Sequence, residues 1–412
     1  MASLWHDAGM EPSANDSEHV VLPGFANAHS HAFQRLLRGR VQRGLPRAAA
    51  GERDSFWTWR ETMYACAETL DVAALEASAR LTWAECLEAG YTAVGEFHYL
   101  HRPTGAVVPG IEAAQAMIRA ARQTGIRLRL LMTAYRRGGF GTPLSARQQR
   151  FDSGTVAELS DWVDTLSASL SVGDRAHIGL GFAIHSVRAV EPELLGAVAE
   201  AARVRGMPLH VHASEQPAEV VACRQHMGLS PIGLLDAMGV LGPDCGVVHA
   251  THVDAADIAL LAARGATVIL CPTTEGDLGD GVPPTDAFRH AGVPLAIGSD
   301  SHAVIDPFAE LRRLEYDARA ATGRRCVVVG DDGDPVPALL DIGAAQGMRV
   351  LGFEGVGDRV TLRSGSRFFS GVAPGDRAAA ALLGGSAALV DQVEVAGQTL
   401  VVDGRHVAVG LS

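Results

Sequence analysis

Two histidines one residue apart close an apolar run, Val21-Leu22-Pro23-Gly24-Phe25-Ala26-Asn27-Ala28-His29-Ser30-His31. In an extended strand, residues two apart project to the same side, so both imidazoles can grip one cation. Three more apolar runs end in ligand-type residues: Pro208-Leu209-His210-Val211-His212-Ala213-Ser214-Glu215, Cys245-Gly246-Val247-Val248-His249 and Ala296-Ile297-Gly298-Ser299-Asp300. A single histidine of this kind is ordinarily a hydrogen-bonded core residue. Such strand ends repeated along one chain point instead to metal-assisted hydrolysis. Three neutral imidazoles and a carboxylate suit zinc or another first-row divalent ion, with a water whose pKa the ion lowers toward neutrality.

The elements that must position these residues alternate along the chain. Apolar, β-rich segments at Val21–Asn27, Tyr91–His98, Arg127–Tyr135, His177–His185, Pro208–Ala213, Cys245–Ala250, Thr267–Cys271 and Pro294–Ser299 predict strands. Helical patterns at Val72–Ala89, Gly110–Gln123, Val156–Leu170, Pro192–Val204, Ala255–Ala263 and Pro307–Ala320 lie between or after them. Repeated β-α units of this number predict an α/β fold, a closed (β/α)₈ TIM-like barrel. On such a barrel His29, His31, His212, His249 and Asp300 fall at the C-terminal ends of strands one, five, six and eight, the face where barrel enzymes keep their chemistry.

The barrel is expected over residues 21–354. A small accessory β-domain is expected from residues 1–20 plus 355–412, with its N-terminal part short or disordered. The tail turns to short apolar stretches with Gly and Asp turns, and Gln392–Val407 reads as a hairpin with its turn near Gly397. The stretch from Ala32 to Arg60 carries seven arginines and is too long for an ordinary connection, which predicts a functional loop. Its Phe56, Trp57 and Trp59 are packing anchors or pocket walls. Arg136–Gly141 reads as a lid or a turn.

Composition removes whole classes of chemistry. Every basic residue is an arginine: the chain has no lysine, which excludes Schiff-base chemistry, a P-loop and a metal pair bridged by a modified lysine. A single metal ion per chain is therefore expected. The formal charge of −12 argues against nucleic acid or an anionic membrane as partner. The six cysteines form no C-x-x-C pair and read as reduced, mostly buried thiols, and the first twenty residues hold no signal-type apolar core. A cytoplasmic location is expected.

Longer stretches make the pattern specific. His29-Ser30-His31-Ala32-Phe33-Gln34, Phe56-Trp57-Thr58-Trp59-Arg60-Glu61, Ala93-Val94-Gly95-Glu96-Phe97-His98-Tyr99, His185-Ser186-Val187-Arg188, Val248-His249-Ala250-Thr251-His252, Cys271-Pro272-Thr273-Thr274-Glu275 and Gly298-Ser299-Asp300-Ser301-His302 resemble the mononuclear aminohydrolase branch of the amidohydrolase superfamily. Within it they resemble the formimidoylglutamate deiminases, which hydrolyse N-formimino-L-glutamate to N-formyl-L-glutamate and ammonia in histidine degradation. The resemblance runs from about residue 20 to 320 and is loose beyond Arg324. It implies a divalent ion, zinc above others, held by His29, His31, His212 and Asp300. It also implies catalysis by Glu215, His249 and Asp300, with Asp300 as base, Glu215 carrying the proton and His249 orienting the attacking oxygen. A helix-start carboxylate is the plainer reading of Glu215.

For the dianionic amidine substrate, the resemblance assigns Arg60 and Arg188 as carboxylate clamps, aided by Gln34, Tyr99 and His185. It further implies a homodimer in which Arg60 reaches across the interface. Two other readings stand beside this one: a guanine or related nucleobase deaminase, which would want stacking and amide groups rather than two arginines, and a non-catalytic barrel that has lost its metal.

Overall fold

The computed structural model describes residues 19–43, 55–353, 355 and 357–408. Eight parallel strands run in chain order around the molecule: Phe25–Ser30, Tyr91–His98, Arg127–Ala134, Ile178–Ser186, Leu209–Ala213, Cys245–His249, Thr267–Leu270 and Leu295–Ile297. Each predicted strand is present within a few residues. The barrel seam between the eighth and first strands is closed by site residues themselves: Asp300 N–H donates to the His29 carbonyl and His31 N–H to the Asp300 carbonyl, both at 3.0 Å. The side chains of His29, His31 and Asp300 thus sit on backbone that the closure of the barrel fixes.

The first predicted strand, Val21–Asn27, is divided between two sheets. Val20–Pro23 joins a second, five-stranded antiparallel sheet, and Gly24 passes the chain into the barrel. A Cβ at Gly24 would lie 2.3 Å from Thr92 Oγ1. Only glycine lets the two sheets approach this closely. The other strands of the second sheet are Arg359–Leu362, Val390–Val395, Gln398–Val402 and Arg405–His406. The hairpin turns at Ala396 and Gly397, both with positive φ (51° and 76°), as a two-residue turn joining right-twisted strands requires. Residues 1–18 lie outside the described part.

Helices on the outside of the barrel begin and end on local signals. Thr155 and Glu158 form a reciprocal capping box before Val156–Ser169, Asp254 and Asp257 another before Ala255–Arg264, and Asp306 caps Pro307–Thr322. Inside the barrel, Ala26, Ala28, Ala93 and Ala296 are small enough to admit Met348, Leu351 and Phe353 from beneath. Gly95 makes the same allowance, since a Cβ there would meet Leu351 Cδ2 at 2.5 Å. These side chains plug the N-terminal mouth of the barrel.

The long connection after the first strand contains a helix that the sequence reading missed. Ser55 caps Phe56–Thr69, which carries Trp57, Trp59 and Arg60; residues 44–54 of the expected loop lie outside the described residues. Arg137–Gly139 pairs with Thr142–Pro143 as a short ribbon, and Phe140 at its tip stacks on His226 with ring centres 5.2 Å apart. All six cysteines are unpaired; five are buried and Cys326 is exposed. No helix among the described residues is long and apolar enough to cross a membrane.

Candidate active site

At the C-terminal mouth the strand ends bring their ligand-type residues to one point. His31 Nδ1 donates to the Phe97 carbonyl (3.0 Å) and His212 Nδ1 to the His185 carbonyl (2.8 Å). Each ring thereby turns an Nε2 lone pair inward. His29 Nε2 lies 3.0 Å from His212 Nε2, and His29 and His31 Nε2 stand 3.4 and 3.5 Å from Asp300 Oδ1. Burial holds all three imidazoles neutral, pushing His31 down to about 3 and lowering His29 and His212. A proton between His29 and His212 would satisfy one pair of these atoms. A divalent cation would satisfy the three histidine nitrogens together, and with Asp300 Oδ1 3.4 and 3.5 Å from two of them the set is one that zinc accepts.

A second cluster adjoins the first. His249 Nε2 lies 3.7 Å from Glu215 Oε1 and 3.8 Å from Asp300 Oδ2, while Nδ1 lies 3.3 Å from Glu275 Oε1. Burial works against a charge on His249, but Glu215, Glu275 and Asp300 outweigh it and raise the ring to about 10. Burial pushes Glu215 up to about 7, against the pull of His249 and Arg188. A carboxyl in that range can take a proton and give it back near neutral pH. Burial would also raise Asp300, yet its hydrogen bond to His29 and the charge of His249 hold it below the usual carboxylate range.

The backbone here is strained where the chemistry is concentrated. Ser214, His249, Ala250, Asp300 and His302 all take left-handed conformations, with φ between 46° and 71°. For residues other than glycine each costs about 1–3 kcal/mol, and the left-handed bend after the strand turns His249 and Asp300 into the mouth. No sequence pattern announced these five.

All five residues assigned to the substrate line one pocket with this cluster: Gln34, Arg60, Tyr99, His185 and Arg188 stand beside His31, His212, Glu215, His249 and Asp300. Gln34 Nε2 donates to Tyr99 Oη (2.9 Å), leaving its own Oε1 without a partner. Arg60 and Arg188 share one indole, their Cζ atoms 4.5 and 6.0 Å from the Trp57 ring centre. Arg60 lines the pocket of its own chain in this single-chain structure. Its helix leads through Leu70 directly into Val72–Glu88, and Asp71 bridges to Thr104 beyond the second strand, which fixes this end of the helix beside its own barrel. A larger open groove of about 890 Å³ beneath the Phe140 ribbon is lined by none of His29, His31, His212, His249 and Asp300.

Sequence reading missed four supporting residues. Glu275 accepts from Cys271 N–H (2.9 Å) and holds His249, a role that nothing in the run Cys271-Pro272-Thr273-Thr274-Glu275 announces. Glu96 accepts from Ser30 Oγ and from Ala32 N–H (2.9 Å), with His302 Nε2 on the other side of Ser30 Oγ at 2.8 Å. Burial pushes Glu96 up to about 8. Together Glu96 and His302 fix the end of the first strand. Glu219, buried under Arg188, resembles an ordinary acidic residue in a first helical turn.

Comparisons with known proteins agree with this geometry. Residues 20–357 match the model of the amidohydrolase family. The chain is 38% identical over 398 residues to formimidoylglutamate deiminase of Pseudomonas aeruginosa, covering 94% of this chain and 86% of that protein. It superposes on the crystal structure of an amidohydrolase from Brucella melitensis with a TM-score of 0.85 and 34% identity, covering 94% and 86% of the two chains. An adenosine deaminase from Xanthomonas campestris with bound zinc shares the fold, with a TM-score of 0.76 and 23% identity over 95% and 83% of the chains. The barrel, its closing seam and the match along most of its length establish that the chain belongs to the amidohydrolase family.

Proposed function

We infer that this protein is a hydrolase of C–N bonds in linear amidines, which converts N-formimino-L-glutamate to N-formyl-L-glutamate and ammonia. The observation that carries the substrate assignment is the pair of guanidiniums, Arg60 and Arg188, that line the same pocket as His31, His212, Glu215, His249 and Asp300. Formiminoglutamate joins two carboxylates to an amidine, and it matches a pocket that combines these two sets of groups. The deiminase relative from Pseudomonas aeruginosa supports the same reading. Two arginines suit a nucleobase ring poorly, and the retained donor set argues against a barrel without catalysis.

His29, His31, His212 and Asp300 would hold one divalent ion, zinc by their chemistry. Such an ion supplies Lewis-acid activation of water when bound. Asp300 takes a proton as the water oxygen adds to the formimino carbon. His249, kept cationic among three carboxylates, orients that oxygen and offsets the charge that builds on it. Glu215 protonates the amidine nitrogen, Asp300 returns its proton to the same nitrogen, and as the C–N bond breaks the hydroxyl proton restores Glu215, so that ammonia leaves and the carbonyl forms. Arg188 and Arg60 bind the carboxylates, with Gln34, Tyr99 and His185 lining the space between. A homodimer in the cytoplasm is part of the proposal.

Ammonia release from N-formimino-L-glutamate, compared with guanine and cytosine, tests the reading, with elemental analysis on the same sample. Turnover of the formimino compound alone is expected, with about one zinc per chain. Deamination of a nucleobase but not of formiminoglutamate would overturn it, and two ions per chain in the active form would overturn the single-metal assignment.

A further inference from the structure

Glu219 sits in the first turn of Pro217–Met227, buried, and its two oxygens face two different parts of the site. Oε2 accepts the backbone N–H of Glu215 at 3.2 Å, across the left-handed turn at Ser214. Oε1 faces Arg188 Nε at 3.9 Å, and neither of those atoms has another hydrogen-bond partner although both are buried. A buried acceptor and a buried donor left open toward each other are costly unless the pair has work to do. One carboxylate therefore touches both the backbone of the proton carrier and the guanidinium at the substrate's carboxylate.

We propose that Glu219 is a positioning residue that aligns Glu215 and Arg188 with each other, so that capture of a substrate carboxylate sets the proton carrier in place. The inference rests on the functional reading above. Arg188 directs its terminal nitrogens to the substrate while Nε stays on Glu219, and any displacement of the guanidinium is passed through the carboxylate to the Glu215 backbone. Binding energy from the remote carboxylate is in this way spent on the reacting end, which places it in kcat as well as KM.

The test is a double-mutant cycle on the zinc-loaded enzyme: Glu219→Gln in wild-type and Arg188→Met backgrounds, with Glu219→Ala alongside, reading kcat, KM and zinc content with N-formimino-L-glutamate. The glutamine keeps an oxygen for Glu215 N–H but breaks the link to Arg188, so kcat falls about threefold. Its amide nitrogen then faces Arg188 Nε, donor against donor, and KM rises about tenfold. In the Arg188→Met background the same change leaves KM within about twofold, because the clamp it disturbs is gone. Glu219→Ala frees the Glu215 backbone as well and lowers kcat about tenfold or more at full zinc content. An equal KM effect of Glu219→Gln in both backgrounds, or wild-type kcat in a folded Glu219→Ala, overturns the proposal. If the alanine variant fails to fold, the near-isosteric glutamine cycle decides alone. Wild-type protein inactive on formiminoglutamate overturns the functional reading and this inference together; an active wild type with an uncoupled cycle overturns only the inference.

Discussion

The two ends of the barrel treat buried charge in opposite ways. At the N-terminal end, Arg127 meets Asp358 in a two-pronged pair of 2.7 and 2.9 Å, gives a third bond to the Ala176 carbonyl, and Asp358 also accepts from Ala396 N–H at 2.9 Å. Arg129 beside it donates to the carbonyls of Leu351 and Leu180 at 2.6 and 2.8 Å. At the C-terminal end, His29 Nδ1, Arg60 Nε, Arg188 Nε, Ser214 Oγ, Glu275 Oε2 and Asp280 Oδ2 are buried without partners, and five residues hold strained backbone. The first end fastens the second sheet to the barrel with satisfied groups. The second leaves polar groups unsatisfied around the histidine and carboxylate cluster, at a cost in stability that the first helps to offset.

If that division is right, substitutions at the two ends separate activity from stability. Asp300→Asn removes the proposed ligand and base together, and kcat/KM for formiminoglutamate is expected to fall by about 10³ or more. The fold should survive, because asparagine tolerates the left-handed backbone at this position (φ 46°). Steady-state kinetics beside urea unfolding measures both. Activity near wild type would remove Asp300 from the mechanism.

The converse substitution is Asp358→Ala. It leaves Arg127 buried and uncompensated, which is expected to cost about 3–5 kcal/mol of unfolding free energy, while kcat/KM of the folded fraction stays at the wild-type value. Replacing both partners, Arg127→Met with Asp358→Leu, should cost much less, since no charge is stranded. A catalytic defect in the folded single variant would show that the two ends are not independent. Arg188→Met returns to the functional end with a smaller expected effect, a loss of about 2–3 kcal/mol in kcat/KM with zinc retained, because the substrate's carboxylate is left unpaired. Unchanged kcat/KM would sink the clamp.

The same contrast explains what could be read from the sequence. His29, His31, His212, His249 and Asp300 were legible because each ends an apolar run, and the strand period then fixes where it points. Glu215, three residues past His212, followed from the resemblance. Gly24 hid the division of the first strand between two sheets, since a run of apolar residues carries no mark of which sheet each half joins. Glu219 and Glu275 were invisible for another reason: their roles depend on Arg188 and His249, which lie 31 and 26 residues away in the chain. Left-handed backbone at Ser214, His249 and Asp300 likewise follows from tertiary closure and not from residue type.

Arg60 offers the finest test of where the functional end stops. Its guanidinium shares the Trp57 face with Arg188 inside one chain, and its helix is tied at Asp71 to its own barrel. Arg60→Ala alone should lose the carboxylate clamp, and Asp300→Asn alone the chemistry. With both groups supplied by the same chain, a dimer built from one of each variant contains no intact site, and co-refolding equal amounts should return no activity. Were Arg60 to act across a two-fold interface, about half of the dimers would be mixed and each would own one complete site, restoring roughly a quarter of wild-type activity. Mass measurement of the mixed species makes the comparison quantitative. Recovery to that level would show that the clamp belongs to the interface, and that the pocket of a single chain is completed by its neighbour.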